Sequence, residues 1–342
     1  MSYRLKVKEP LAEGIRRVAL EQIEIAEGEL RGNGDANVAV HNARRALKRL
    51  RALLRLVRPG LNEADYRREA RRFADIGRLL AGERDRHVMR QTLKKLAAEK
   101  PELAKGLLPA FETLLDAGST SQGNPEDVRG MAAGRLVAAR RVFSAPTMGH
   151  LEGEHVFAGL AKVYRKARRL NRHCHEQKAA TDEEFHALRK CVQQHWRHMQ
   201  LLSRAWPEAL SARASEAKAL SQLLGEDHDL HVLMAYAEAH ADGLPPDGLT
   251  QLRSAVQQAQ ARLRDRGRLH GARLFSERAD DLVERLRTYW ATAQGLTDLE
   301  KSDAPDAPVP PVRATRVVRA SRTVSAKVAK PGSNRPAAKR AP

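Results

Sequence analysis

The segment from residue 36 to residue 58 carries the first pattern that could do chemistry. It holds His41, Arg44, Arg45, Lys48, Arg49, Arg51, Arg55 and Arg58, with no acid between 41 and 58. As a helix at about 100° per residue, His41, Arg44, Lys48, Arg51 and Arg55 fall within an arc of roughly 80°. Val40, Ala43, Leu47, Leu50, Leu54 and Val57 occupy a largely opposite arc. Like charges at i,i+3 and i,i+4 cost on the order of a few tenths of a kcal/mol per pair. Acids from a neighbouring helix or an external anion must offset that cost. Arg offers charge-assisted, partly bidentate bonds to an oxyanion, and Lys offers a point charge. Histidine is a neutral donor that takes on a proton beside a phosphate. One such helix alone reads equally well as a solvated face that keeps a protein soluble.

The pattern recurs. His186-x-x-Arg189-Lys190 echoes His41-x-x-Arg44-Arg45 at an offset of 145, and Leu223–Val232 echoes Leu79–Val88 at an offset of 144. Two matches in the same order at nearly one offset indicate duplication. The second copy also sets Arg197 and Arg204 on its basic side. It is diluted where Gln193, Gln194 and Trp196 replace Lys48, Arg49 and Arg51. A third basic run, Tyr164-Arg165-Lys166-Ala167-Arg168-Arg169, precedes it, and Arg71, Arg72, Arg78 and Arg84 add charge in the first half. Asp85 and Asp229, in the second repeated element, are placed to pair with arginines of the adjacent His-bearing helices and fix them.

These residues need helices to hold them. The chain has 342 residues, 42% hydrophobic and only 4% aromatic, so its core is mainly Leu, Ala and Val, a mix that favours helix. Apolar periodicity predicts helices near 9–31, 36–58, 63–98, 101–117, 126–143, 154–176, 182–205, 211–240 and 249–292. Asp35, Asn62 and Thr181 are expected N-caps, and Thr181 with Glu184 reads as a capping box. The expected fold is all-α: two pseudo-symmetric four-helix-bundle halves, 1–148 and 149–296. Residues 297–342 differ. From 301 onward there are 10 Lys and Arg against 2 acids and few large apolar residues, so a disordered basic tail is expected.

With 61 Lys and Arg against 42 acids, the net charge of +19 points to an anionic partner: nucleic acid, anionic lipid or a phosphate polymer. No apolar run is long enough to span a bilayer, and the first ten residues lack a signal peptide's apolar stretch, so no membrane partner and a cytoplasmic location are expected. Two cysteines, Cys174 and Cys191, make no disulfide framework. With His173, His175, His195 and His198 they could form a tetrahedral zinc site, but the spacings match no closed finger pattern, so no metal and no cofactor is expected. Gly77 to Glu83 lacks the Lys and Ser/Thr of a phosphate loop, and no nucleophile–base pair stands out, so no catalytic residue is assigned.

His41, Arg44, Lys48, Arg49 and Arg51 resemble the CHAD family's helix pattern H-x-x-R-x-x-x-K/R-R-x-R. His186 and Arg189 match it in the second copy. Leu79–Val88 and Leu223–Val232 resemble the family's L-L-G-x-x-x-D-x-x-V element, and Arg268–Trp290 its terminal helix. The resemblance covers residues 1–295. It implies two four-helix-bundle halves around a basic channel that binds inorganic polyphosphate, often at storage granules. Some relatives carry a fused triphosphatase with an E-x-E-x-K signature; Glu27-Gly-Glu29-Leu-Arg31 and Glu152-Gly-Glu154-His-Val156 lack its Lys. The residues expected to bind the polymer are His41, Arg44, Arg45, Lys48, Arg51, Arg55, Arg84, Tyr164, Arg165, Arg168, Arg169, His186, Arg189, Lys190 and Arg197. The alternatives are a nucleic-acid-binding, nucleoid-associated protein that uses the basic tail, and an enzyme of phosphate metabolism. Against the first, the basic runs lack interleaved aromatics to stack on bases.

Overall fold

In the computed structural model, which describes residues 3–117, 125–144, 150–176 and 180–302, eleven α-helices follow one another. They are α1 (Leu11–Arg31), α2 (Ala36–Val57), α3 (Glu63–Leu79), α4 (Gly82–Glu99), α5 (Leu108–Ala117) and α6 (Pro125–Ser144). After them come α7 (Gly153–Glu176), α8 (Asp182–Leu202), α9 (Pro207–Ala239), α10 (Gly248–Leu274) and α11 (Ala279–Ser302). A π-helical turn, Leu103–Leu107, leads into α5. No strand occurs among the described residues. Residues 297–302, expected in the tail, continue α11; the expected tail from residue 303 lies outside the described residues, and so does the side chain of Arg84.

The helix starts follow their caps. Asp35 accepts from the Val38 amide at 2.9 Å, and Asn62 from that of Ala64 at 2.8 Å. Thr181 and Glu184 close the reciprocal capping box. Helices α1, α2, α3 and α6 pack as one four-helix bundle, and α7, α8, α9 and α10 as another. The bundles share a continuous apolar core in which Leu53, Leu56, Leu160 and Leu188 are fully buried. The α4 and α5 helices do not return to the first bundle. They pack on the far ends of α9 and α10 around Leu93, Phe111, Leu233 and Leu252, a second core.

Two expected long helices are broken. The 63–98 helix divides at Leu80–Ala81, where Arg44 reaches across from α2 and donates to the Leu80 carbonyl at 2.7 Å. Its duplicate, α9, runs unbroken from Pro207 to Ala239. The 249–292 helix divides after Leu274. There the freed carbonyls are taken by side chains: Arg213 donates to Leu274 at 2.9 Å, and Arg168 to Phe275 at 3.1 Å. The Tyr164 hydroxyl sits 3.1 Å from the Glu277 carbonyl oxygen and 3.3 Å from that of Leu274. A helix end with its carbonyls satisfied in this way is stable without a glycine cap.

The α2–α7 crossing is close enough to exclude a side chain. A Cβ on Gly159 would stand 1.7 Å from the Leu56 carbonyl oxygen, a backbone atom that cannot swing aside. Gly159→Ala should therefore destabilise by about 3 kcal/mol or more, through overpacking at a buried contact. Gly28, also helical, has nothing within 4 Å of the added carbon, and Gly28→Ala should stabilise by about 0.5–1 kcal/mol. Urea unfolding of the two variants beside the parent checks both signs.

Candidate polyanion site

The α2–α8 contact brings the two repeats' basic helices side by side. The His198 ring donates from Nε2 to the Ala52 carbonyl at 2.9 Å and locks α8 to α2. On one side of this contact lies a cleft of roughly 450 Å³. Arg44, Lys48 and Arg51 line it from α2, and His186, Arg189, Lys190, Gln193 and Gln194 from α8. Phe73, Ala74, Gly77 and Arg78 of α3, with Ala81, close the third wall.

The cations of this cleft have few counter-charges. Arg44 lies 3.8 Å from Asp85, the pairing expected from the sequence. Among the described residues no carboxylate is within ion-pair distance of Lys48, Arg51, Arg189 or Lys190. Asp229 lies near Arg189 and Lys48; burial raises its pKa while those two cations lower it. Desolvation by the cleft walls, helped by Arg189, Arg197 and Arg44 and opposed by Asp229, pushes the Lys48 pKa down to about 8. Burial, then Arg51, Arg189 and Lys166, lowers that of Lys190. The Arg189 Nε is buried without a hydrogen-bond partner.

His186 forms part of a ring stack. Its centroid is 4.0 Å from that of His228, which lies 6.3 Å from that of His231. Burial, with Lys190 and Arg189 beside it, pushes His186 down to about 4, so it is neutral at pH 7. His231 bonds Asp182 at 2.8 Å and closes the stack against α8's first turn.

The basic surface continues beyond the cleft. Around Cys191 stand Lys166, Arg55, Lys190 and Arg169, near enough to act on its thiol. Arg169 stands here, and so does Lys166, which the sequence places in the same basic run but outside the expected binding residues. The signal was there: Lys166 and Arg169 are spaced i,i+3, whereas Tyr164 shares the apolar stripe of Leu160 and Ala167. Arg78 was also passed over as a wall of the cleft, because α3 approaches it only through tertiary packing.

Other expected residues are placed elsewhere. Tyr164 is fully buried and, like Arg168, caps the end of α10. Arg165 pairs with Asp280 at 2.8 Å. Arg55 lies over the Tyr66 ring at 5.6 Å, on the basic surface beyond the cleft and not in it. Arg197 is buried on another side of α8, over Trp196. His41 and Arg45 are exposed on α2 outside the cleft lining. The residues weighed for zinc are dispersed: His195 accepts from Arg213 at 3.2 Å, and His173 bonds Glu184 at 2.6 Å. Among the described residues no three His, Cys, Asp or Glu side chains group as a metal ion would require, and no helix is long and apolar enough to cross a membrane.

Fold and cleft together define an all-helical protein with a cationic cleft, only partly offset by carboxylates, where its two His-bearing helices meet. The family model of the CHAD domain matches residues 15–238, and the chain belongs to that family. A crystal structure of the CHAD domain from the plant Ricinus communis is similar at 20% sequence identity and a TM-score of 0.48, covering 84% of this chain and 94% of that one. Among curated proteins no sequence matches.

Lys48 gives the site a pH dependence of defined sign. An anion prefers the protonated amine, so affinity for a phosphate polymer should fall as pH rises through about 8. One group contributes at most about tenfold per pH unit. Lys48→Arg, charged throughout, should flatten the profile between pH 7.5 and 9.5; titration calorimetry across that range checks it.

Proposed function

We propose that the chain binds inorganic polyphosphate in the cleft between α2 and α8 and does not turn it over. The observation that carries this reading is the set of cations from both repeats, Lys48, Arg51, Arg189 and Lys190, without ion-paired carboxylates. Fixed in register before a ligand arrives, they offer binding sites whose ordering cost is already met by folding. A linear polymer suits the site better than a single small anion, because Lys166, Arg55 and Arg169 extend the charge beyond the cleft mouth. None of the lining side chains is a carboxylate, hydroxyl or thiol, which supports binding without a covalent nucleophile of those kinds. Of Phe, Tyr and Trp only Phe73 lines the cleft among the described residues; it is fully buried and offers no ring for base stacking, which favours polyphosphate over nucleic acid. On this reading residues 1–148 supply two walls of a shared site and residues 149–296 the third. The basic segment from 303 adds charge for long polymers or storage granules, with nucleic acid as a secondary partner of that segment.

Arg51 and Lys190 are exposed and make no hydrogen bond or ion pair within the described residues, so reversing them should spare the fold. The Arg51→Glu, Lys190→Glu double variant should keep its circular dichroism and lose at least tenfold in polyphosphate affinity at 100 mM salt. Its log-affinity against log-salt slope should be shallower by about 1.4, the counterion release of two phosphate contacts on a single-stranded polymer. Unchanged affinity in the folded variant would remove the cleft from the binding site, and a parent protein that prefers DNA in competition would favour the nucleic-acid reading.

A further inference from the structure

A second polar cavity, of roughly 410 Å³, opens on a different side of α8. Its walls include Arg49 of α2, Gln200 of α8, and Ser211, Ser215 and Lys218, which fall at i, i+4 and i+7 on one face of α9. Tyr3 and Arg4 form the remaining rim. The N-terminal segment that carries them is pinned by the Leu5 amide, which donates to the Leu201 carbonyl at 2.9 Å, and by Arg17, which donates to the Arg4 carbonyl at 3.1 Å.

The charges of this cavity are also without counter-ions. Arg49 donates to the neutral Gln22 at 3.0 Å and lies over the Tyr3 ring. No ion pair engages Arg4, Arg49 or Lys218 among the described residues, and no lining residue is acidic. Beside the wall lies Arg197, only 6% exposed and stacked over Trp196; among the described residues its hydrogen bond runs from Nη1 to the Gln193 carbonyl at 2.9 Å, and no carboxylate pairs with it. A guanidinium taken that far out of water without a carboxylate is costly, and natural sites of this kind are paired or filled. Burial, with Arg49 nearby, lowers its pKa to about 10, so it is still charged at neutral pH.

We propose that this cavity is a second anion site, taking a compact phosphoanion with a terminal phosphate. Two exposed serine hydroxyls and a Lys along one helix face, opposite an Arg fork, offer donors to several oxygens of one group. A terminal phosphate presents those oxygens together, whereas an internal polymer phosphate presents two. The site does not depend on the α2–α8 cleft reading, since apart from α2 and α8 themselves the two share no lining residue.

The test is titration calorimetry of the full chain with pyrophosphate, inorganic phosphate and glycerol phosphate. Four proteins are compared: the parent, Arg51→Glu/Lys190→Glu, Ser215→Glu, and the triple combination. Ser215 is exposed, so the added carboxylate should leave the fold intact, and Lys218→Gln serves as a second probe. The expected result is that the cleft double variant keeps a pyrophosphate site that weakens at least tenfold with Ser215→Glu and severalfold with Lys218→Gln. Glycerol phosphate binding at that site would identify phosphate monoesters as its ligands, and binding of pyrophosphate alone would identify condensed phosphates. A double variant that binds no pyrophosphate, or binds it regardless of Ser215 and Lys218, overturns this site and leaves the cleft reading standing. Loss of binding on Ser215→Glu, with no effect of the cleft substitutions on long polyphosphate, supports this site and overturns the cleft.

Discussion

Packing α8 against α2 sets Lys48 and Arg51 of one repeat opposite Arg189 and Lys190 of the other, and the rest of the structure is arranged around that repulsion. Two unit charges 4 Å apart repel by roughly 1 kcal/mol in water and several times that at a half-buried site. The apolar core running through both bundles holds the helices together against it. Leu53, Leu56 and Leu188 lie on the buried sides of the same two helices that carry the charge. The His198–Ala52 bond fixes the pair axially, and Gly159 lets α7 press on the back of α2 at backbone contact. A tightly held pair cannot relax by drawing apart, and the proposed polyanion would relieve the charge that Asp85 and Asp229 leave.

Duplication builds the site from one solution used twice. Arg44 and Arg189 each project toward the L-L-G-like element of the following helix, Arg44 to the Leu80 carbonyl and Arg189 to within about 4 Å of a Cβ on Gly225. Asp85 and Asp229, at matching positions, face these arginines and partly offset them. The copies then diverge. The first breaks its helix at Leu80, and the second keeps α9 whole and adds the stack of His186, His228 and His231. The resulting cleft is lopsided, cationic along α2 and mixed along α8, where Gln193 and Gln194 take the places of basic residues and still line the wall.

What could be read in the sequence was whatever depends on neighbours a few residues away. The caps at Asp35, Asn62 and Thr181, the split of α2 into basic and apolar arcs, and the all-α class follow from spacing alone. The breaks at Leu80 and after Leu274 were not legible, because the carbonyls they free are satisfied by Arg44, Tyr164, Arg168 and Arg213, side chains distant in sequence. The same distance hides that Tyr164 and Arg168 engage the end of α10. A basic run read as a string hides which of its members face inward, and only the helical phase separates Lys166 and Arg169 from their neighbours.

On the proposed function, Lys48 and Lys190, lysines from the two repeats, are covered by one and the same polyphosphate chain. Amine-labelling footprinting of the full chain, read by mass spectrometry across a polyphosphate titration, tests this directly. Lys48 and Lys190 should lose reactivity together, with one midpoint, while Lys94, ion-paired with Glu112 at 2.9 Å on α4, keeps its reactivity. Separate midpoints for the two lysines, or continued labelling of both at saturating polymer, would contradict it.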